Sequence, residues 1–167
     1  FMEYEKKDGK VVGKLSQKNV DTGSGLERIT MIVQGKDNVY EADMFKTVME
    51  FIETNSRKAY DVTLGRIIAD HIRTATFLIA DGVIPSNKGE GYILRRLIRR
   101  ASLKADALGI SAGVLVTIRG FFAAMYKDEY PELEDGGGTQ SDILKNELEK
   151  NVTLPSGFTD RKSTRLN

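Results

Sequence analysis

The chain has 167 residues, which is enough for one domain of ordinary size with a substantial hydrophobic core. Hydrophobic residues make up 40% of the sequence and charged residues 29%, and no apolar run approaches the roughly 20 residues that a membrane span needs. Because the sequence contains no cysteine, a disulfide scaffold and a thiolate metal site are both excluded. These values predict a globular protein of a reducing compartment, without a membrane partner.

Charge is segregated along the chain, although the net charge is only +1. Between residues 88 and 104 the charged side chains are basic apart from Glu90, and between residues 128 and 149 they are acidic apart from Lys145. Such blocks are typical of solvated faces and of surfaces that bind a charged partner. The position of the charges is therefore more informative than their sum.

The first residues predict a β-hairpin, a tight turn and a short helix. Asp8-Gly9, a preferred hairpin turn, separates two strand-like segments at residues 1–7 and 10–15. A glycine-rich turn follows at residues 22–25, and from Leu26 apolar side chains recur at helical spacing.

The rest of the chain has mainly helical periodicity. Predicted helices cover residues 43–53, 63–80, 92–108, 112–126 and 141–152. Gly109 is expected to end the third of them, and residues 85–91 are expected to form a loop. Residues 154–167 lack an apolar period and are predicted to be disordered, and residues 161–167 resemble a non-native adapter tail.

The first candidate site lies at the glycine turn and includes Asp21, Gly23, Gly25 and Arg28. Asp21 could pair with an ammonium group, and the two glycines would leave room for a ligand against the backbone. The N-terminus of the following helix, together with Arg28, would favour anionic oxygens. The alternative is a plain glycine-bent turn that begins a surface helix.

The second candidate site is an arginine-rich helix. At about 100° per residue, its apolar side chains fall on one side and its arginines on the opposite arc. The apolar set is Ile93, Leu94, Leu97, Ile98 and Ala101, and the arginines are Arg95, Arg96, Arg99 and Arg100. A polyanion such as RNA would relieve the repulsion among these guanidinium groups. The alternatives are a solvated face and a face that packs against the acidic segment near residues 128–149.

Asn87 lies in the predicted loop just before this helix. Its amide offers a hydrogen-bond donor and an acceptor and could recognise a base edge in a minor groove, while Pro85 would stiffen the loop. The alternative is a simple turn, since asparagine and glycine are turn formers. His71, the single histidine, lacks the partners of a metal or catalytic site, so we expect it in the core or at an interface.

Four segments, in this order, resemble the alanyl-tRNA synthetases, a family of class II aminoacyl-tRNA synthetases. They are residues 20–28, which resemble the third class II motif, and residues 66–73, 77–87 and 91–101. Four matches in the correct order are far more specific than any one of them.

The resemblance implies an α+β fold that is predominantly α. Residues 1–35 would be the C-terminal end of a class II catalytic domain, with motif 3 and a short antiparallel remnant of its sheet. Residues 36–153 would be an α-helical tRNA-recognition bundle. The other class II motifs would lie upstream of Phe1, so this fragment is not expected to aminoacylate or to bind a cofactor alone.

The resemblance also implies a reaction in the cytoplasm, in which alanine is activated with ATP and Mg²⁺ and passed to the 3′ end of alanine tRNA. Asp21 would hold the substrate ammonium group, Gly23 and Gly25 would line the alanine and adenylate pocket, and Arg28 would bind ATP phosphates. Catalysis in this family is chiefly positioning and charge stabilisation, consistent with a site that lacks a nucleophile. No metal-binding residue is expected in this chain.

For the tRNA, the resemblance implies recognition of the acceptor stem and no DNA partner. Asn87 would address the G·U wobble pair, and the four arginines would steady the phosphates of the stem. The competing hypothesis is a non-catalytic helical module that binds RNA or a protein partner and lacks the chemistry.

Overall fold

A computed structural model of the chain describes residues 2–19 and 22–152. Its secondary structure is a two-stranded antiparallel sheet followed by helices, so the predicted α+β, predominantly α class is confirmed. Asp21 and the tail at residues 154–167, for which the sequence predicts a ligand contact and disorder, lie outside the described residues.

The N-terminal hairpin consists of β1 (Met2–Lys7) and β2 (Lys10–Asn19). Asp8 and Gly9 have φ angles of 49° and 79°, and Lys7 pairs with Lys10 across them. Positive φ at both central residues is the geometry of the two-residue turn that Asp-Gly favours, because its twist matches that of the flanking strands. The predicted hairpin is therefore confirmed.

Six α-helices follow the hairpin within the described residues. They are α1 (Leu26–Val33), α2 (Asp43–Thr54), α3 (Val62–Ala80), α4 (Gly89–Leu108), α5 (Ala112–Tyr126) and α6 (Thr139–Val152), with short 3₁₀ turns at Val39–Glu41 and Pro131–Leu133. Gly109 ends α4 with a φ of 72°, as predicted. The start of α4 was predicted wrongly, since the helix begins at Gly89, inside the loop that was expected to continue to residue 91.

The described residues form two compact units that divide between Ala42 and Asp43. In the first unit the apolar stripe of α1 has the predicted helical spacing, yet none of its residues is buried. Leu26, Ile29, Ile32 and Val33 are all exposed. The described residues therefore do not supply the surface that would cover this stripe.

The second unit is a helical bundle whose core lies around α3, which packs against α4 and α5. The fully buried side chains include Ile68, Ile72, Leu94, Ile98, Leu115, Ile118 and Phe122. On α4 the buried stripe runs through Leu94, Ile98 and Ala101, whereas Ile93 is 55% exposed. The sequence placed Ile93 on the core face, but it stands about 100° from Leu94 on the helix and points away from the neighbouring helices.

A buried charge network fixes the beginning of α6. Arg119 of α5, only 3% exposed, donates hydrogen bonds to the carbonyl of Leu133 at 3.2 Å and to Ser141 Oγ at 3.3 Å. Its Nη1 lies 3.6 Å from Asp135 Oδ2. Asp135 in turn accepts hydrogen bonds from the backbone N–H groups of Gln140 at 3.0 Å and Ser141 at 2.6 Å. Asp135 thus satisfies N–H groups in the first turn of α6 that the helix itself cannot bond.

This network lowers the pKa of Asp135. Burial alone would raise that pKa, but the hydrogen bonds from Ser141 and Gln140 and the charge of Arg119 outweigh it. A carboxyl whose pKa is lower in the folded state stabilises the protein above its unfolded pKa of about 3.9, and the contribution is lost as the pH falls through the folded value.

We expect Asp135→Asn to reduce the free energy of unfolding at neutral pH by about 1–3 kcal/mol, because buried donors lose a charged acceptor. The difference from the wild type should shrink as the pH falls below about 4, where the carboxyl of the unfolded chain is protonated. Urea unfolding followed by circular dichroism at both pH values measures it. Asp128→Asn is the control, because Asp128 is exposed. If Asp135→Asn lowered the free energy of unfolding by the same amount at low pH, the ionic explanation would be contradicted.

Candidate nucleic-acid interface

The four arginines of α4 divide into two pairs. Arg96 and Arg100 are exposed, one helical turn apart, and have no hydrogen-bond or ion-pair partner among the described residues. Arg95 and Arg99 form the adjacent row, with side chains only 23% and 35% exposed. Both contact Glu147 of α6. The arginine-rich segment is thus not a uniform face. Arg96 and Arg100 are free, and Arg95 and Arg99 beside them form a row paired with Glu147, which we call the paired row.

Glu147 is the shared partner of the paired row. Its side chain is 2% exposed, and its Oε1 accepts a hydrogen bond from Arg99 Nε at 3.0 Å. Arg95 Nε lies 3.4 Å from the same oxygen, without hydrogen-bond alignment. The alternative in which the arginines pack against the acidic segment therefore applies to Arg95 and Arg99, and not to Arg96 and Arg100.

Sequence reasoning missed the role of Glu147, although the pattern of α6 contains a signal for it. Leu144 and Leu148 are fully buried, and Glu147 lies next to them on the same face of the helix. A carboxylate at a core-facing position needs a charged partner, because an unpaired buried charge is costly. The partner of such a carboxylate is expected to be a basic residue on a helix that packs against α6.

Asn87 is exposed, and its side-chain oxygen already accepts a hydrogen bond within the protein. Arg95 Nη1 donates a hydrogen bond to Asn87 Oδ1, and Arg95 Nη2 lies 3.5 Å from the carbonyl oxygen of Pro85. Because a guanidinium group can only donate, the amide oxygen of Asn87 must face Arg95. The structure thus brings together the predicted loop residue and one of the predicted arginines.

The loop that carries Asn87 is fixed to the first turn of α4. Ser86 N–H donates to the carbonyl of Gly91 at 3.0 Å, and Ser86 Oγ donates to the carbonyl of Lys88 at 2.8 Å. A Cβ at position 91 would collide with the carbonyl oxygen of Ile84 and with Ser86. Glycine at 91 is therefore what allows the loop to lie against the helix.

Apolar side chains surround the free arginines on the exposed side of α4. Tyr92, Ile93 and Leu103 are each about half exposed and lie on the same side of the helix as Arg96 and Arg100. We call these five residues the α4 outer face. It combines guanidinium groups with an aromatic ring, a combination that can contact phosphates and stack on a sugar or base.

At the glycine turn, the structure describes three of the four predicted residues. The carbonyl of Gly25 accepts from the N–H groups of Arg28 at 3.1 Å and Ile29 at 3.2 Å, which starts α1. Neither Gly23 nor Gly25 has a positive φ, and a Cβ on Gly23 would meet no atom within 4 Å. Neither local backbone geometry nor packing against the described residues therefore requires glycine at these positions.

Other kinds of site receive no support from the described residues. His71 lies partly buried, with its Nδ1 3.1 Å from Asp70 Oδ2, and no three histidine or acidic side chains in this part of the chain are placed to hold a metal ion. Across the same residues, none of the helices is both long and apolar enough to cross a membrane.

We expect Gly91→Ala to lower the free energy of unfolding by about 1–3 kcal/mol, because the added methyl group must displace Ser86 or the backbone at Ile84. Gly120→Ala is the matched control, since it adds the same group inside α5, where no atom other than the adjacent backbone of α5 lies within 4 Å. That variant should be neutral or stabilised by up to about 1 kcal/mol. Urea unfolding compares the two, and equal stability of both variants would contradict the steric explanation.

Comparisons with known proteins assign the chain to a family. The family model described as tRNA synthetases class II (A) matches residues 1–159. Alanine–tRNA ligases of Desulfosudis oleivorans, Frankia alni and Rickettsia conorii are 39%, 40% and 39% identical over 165, 171 and 167 residues, covering 95% of this chain in each case. These alignments cover 19%, 19% and 18% of the relatives, so the chain spans about a fifth of their length. The chain therefore belongs to the class II (A) tRNA synthetases, as its motifs had indicated.

Proposed function

We propose that this chain is the part of an alanine–tRNA ligase that contributes motif 3 and the recognition of the acceptor stem. The complete cytoplasmic enzyme would activate alanine with ATP and transfer it to the 3′ end of alanine tRNA. The names of the similar proteins support the reaction, and the surface around α4 supports the contact with RNA.

The observation that carries the proposal is that exposed Asn87 contacts Arg95, in the row of α4 that adjoins the α4 outer face. The exposed amide of this loop residue would contact a base edge while Arg96 and Arg100 of α4 contact phosphates. The minor groove of an RNA helix is wide and shallow, so a loop amide and guanidinium groups can reach it together. The arrangement therefore suits a short double-stranded stem.

Arg95 and Arg99 take a different part in this proposal. Each already contacts Glu147, so a stem phosphate at either arginine would compete with a buried carboxylate. We expect Arg96 and Arg100 to supply most of the electrostatic attraction, and Arg95 and Arg99 to contribute at the edge of the contact.

The same proposal assigns the glycine turn to the small substrates. Asp21 would bind the ammonium group of alanine, and Gly23 and Gly25 would let the adenylate approach the backbone. Exposed Arg28 would bind ATP phosphates next to the N-terminus of α1. In the complete enzyme, Mg²⁺ would accompany the ATP.

The second candidate function is a helical module that binds RNA without taking part in the chemistry. It is favoured by one observation, that the described residues from Asp43 onward form a compact unit with their own core. Such a module would bind stems through the arginines but would have no reason to prefer the G·U pair. Binding of the chain to alanine acceptor-stem minihelices with a G·U or a G·C pair therefore separates the two functions.

We expect Arg96→Ala and Arg100→Ala each to weaken binding to both minihelices by the same factor. Each loss of a phosphate contact should reduce the slope of log K against log salt by about 1. Affinities measured at several salt concentrations give the slope. Arg57→Ala is the matched control, because Arg57 is also exposed but lies in the connection between α2 and α3. An unchanged slope for Arg96→Ala would remove that residue from the phosphate contacts.

We expect Asn87→Ala to reduce the preference for the G·U minihelix by about 5-fold to 100-fold, the effect of losing one base contact. The affinity for the G·C minihelix should change much less, since the basic residues are intact. Competition binding at fixed salt measures the ratio. An equal loss on both minihelices would contradict recognition of the base pair, and equal binding of the wild type to both would favour the second candidate function.

A further inference from the structure

We infer that Glu147 is a positioning residue for base recognition, acting on Asn87 through Arg95. This inference rests on the proposed function, and it adds that Asn87 donates, and does not accept, the hydrogen bond to the base. Glu147 holds Arg95, Arg95 binds the oxygen of the Asn87 amide, and the Nδ2 group is thereby left to donate to the RNA. Asn87 would then recognise an acceptor on a base edge, such as a pyrimidine O2, and not the guanine amino group.

The first step is the fixed position of Glu147. Its side chain is 2% exposed, between Leu144 and Leu148, which are fully buried. The carboxylate faces two guanidinium groups, at 3.0 Å for Arg99 and 3.4 Å for Arg95. Because an ionised carboxylate in such surroundings is stable only when it is paired, these contacts cannot be exchanged for solvent at small cost.

The second step is the geometry of Arg95, which is bound from two sides. Its Nε lies 3.4 Å from Glu147 Oε1, while Nη1 donates to Asn87 and Nη2 lies 3.5 Å from the carbonyl of Pro85. A guanidinium group is planar and rigid, so fixing one edge also sets the direction of the other. A lysine could keep the charge but could not make both contacts in this arrangement.

The third step is the orientation of the Asn87 amide. Since Arg95 has no acceptor, Oδ1 must face it, and Nδ2 points elsewhere. Among the described residues the Nδ2 group has no hydrogen-bond partner, so its donors are available to a ligand. In a minor groove, purine N3 and pyrimidine O2 accept hydrogen bonds, whereas the guanine N2 amino group donates.

The first test requires no RNA. In the 167-residue chain, the heteronuclear NOE of the Asn87 side-chain amide reports how strongly its orientation is fixed. We expect a high value in the wild type and a clear loss in Glu147→Gln and in Arg95→Lys. Glu149→Gln, which removes the same charge from an exposed position two residues away, should leave it unchanged. An equally ordered amide in Glu147→Gln would overturn the inference.

The second test measures binding to the G·U and G·C minihelices. Glu147→Gln should lower the preference for G·U by roughly fivefold, the effect of one misplaced hydrogen bond, without weakening binding to G·C, because a negative charge near phosphates has been removed. Glu149→Gln should strengthen both and leave the ratio unchanged. A Glu147→Gln protein that loses affinity for both stems alike would indicate a merely structural role; if this variant does not fold, Arg95→Lys takes its place.

The third test addresses polarity with an I·U minihelix, which lacks the guanine amino group. If Asn87 donates, Asn87→Ala should cost the same factor on I·U as on G·U. A loss that is confined to G·U would mean that Asn87 accepts from the amino group, which would overturn the inference. A wild-type chain that binds no stem, or binds all stems equally, would overturn the proposed function itself, whereas an unaltered G·U preference in Glu147→Gln would overturn only the positioning by Glu147.

Discussion

The ion pairs between α4 and α6 are the interaction on which the rest of the candidate site depends. One buried carboxylate, Glu147, binds two arginines of α4, and burial of that carboxylate is tolerable only because both are present. The pairing joins the acidic segment of the chain to its basic segment. It also leaves Arg96 and Arg100 as the exposed charges, and it gives Arg95 a fixed direction toward Asn87.

A second buried charge holds the opposite end of α6. Arg119 and Asp135 fix the first turn of the helix, through contacts that include the carbonyl of Leu133 and the backbone N–H of Ser141. Between this network and Glu147, apolar side chains of α6 such as Leu144 pack into the bundle. Hydrophobic burial alone could accept small rotations of α6, but two directional charge contacts restrict them. The position of Glu147 beside α4 thus depends on contacts at the far end of its own helix.

The two units of the chain differ in how much of their apolar surface is buried. In the bundle, the stripes of α3, α4 and α5 meet one another, and the core is closed. In the N-terminal unit, the stripe of α1 stays exposed, and the glycine turn before it has open space around Gly23. The similar proteins of Desulfosudis oleivorans and Frankia alni are about five times longer than this chain. The bundle, in contrast, already presents a formed surface around Asn87.

Local sequence patterns predicted most of the secondary structure and the family. Asp8-Gly9 specified the hairpin, apolar periodicity specified the helices, Gly109 ended α4, and the order of four segments indicated a class II synthetase, because each of these depends on residues close together in the chain. Which arginines are free depends on the packing of the helices, which these local patterns do not contain. Arg99 meets Glu147 across 48 residues, and Arg119 meets Ser141 across 22, in contacts set by how the helices pack. Helical spacing places a side chain on one face of its helix, but it does not specify which other helix packs against that face. The packing of α4 against α6 sets which arginines are paired, which are exposed and how Asn87 is oriented.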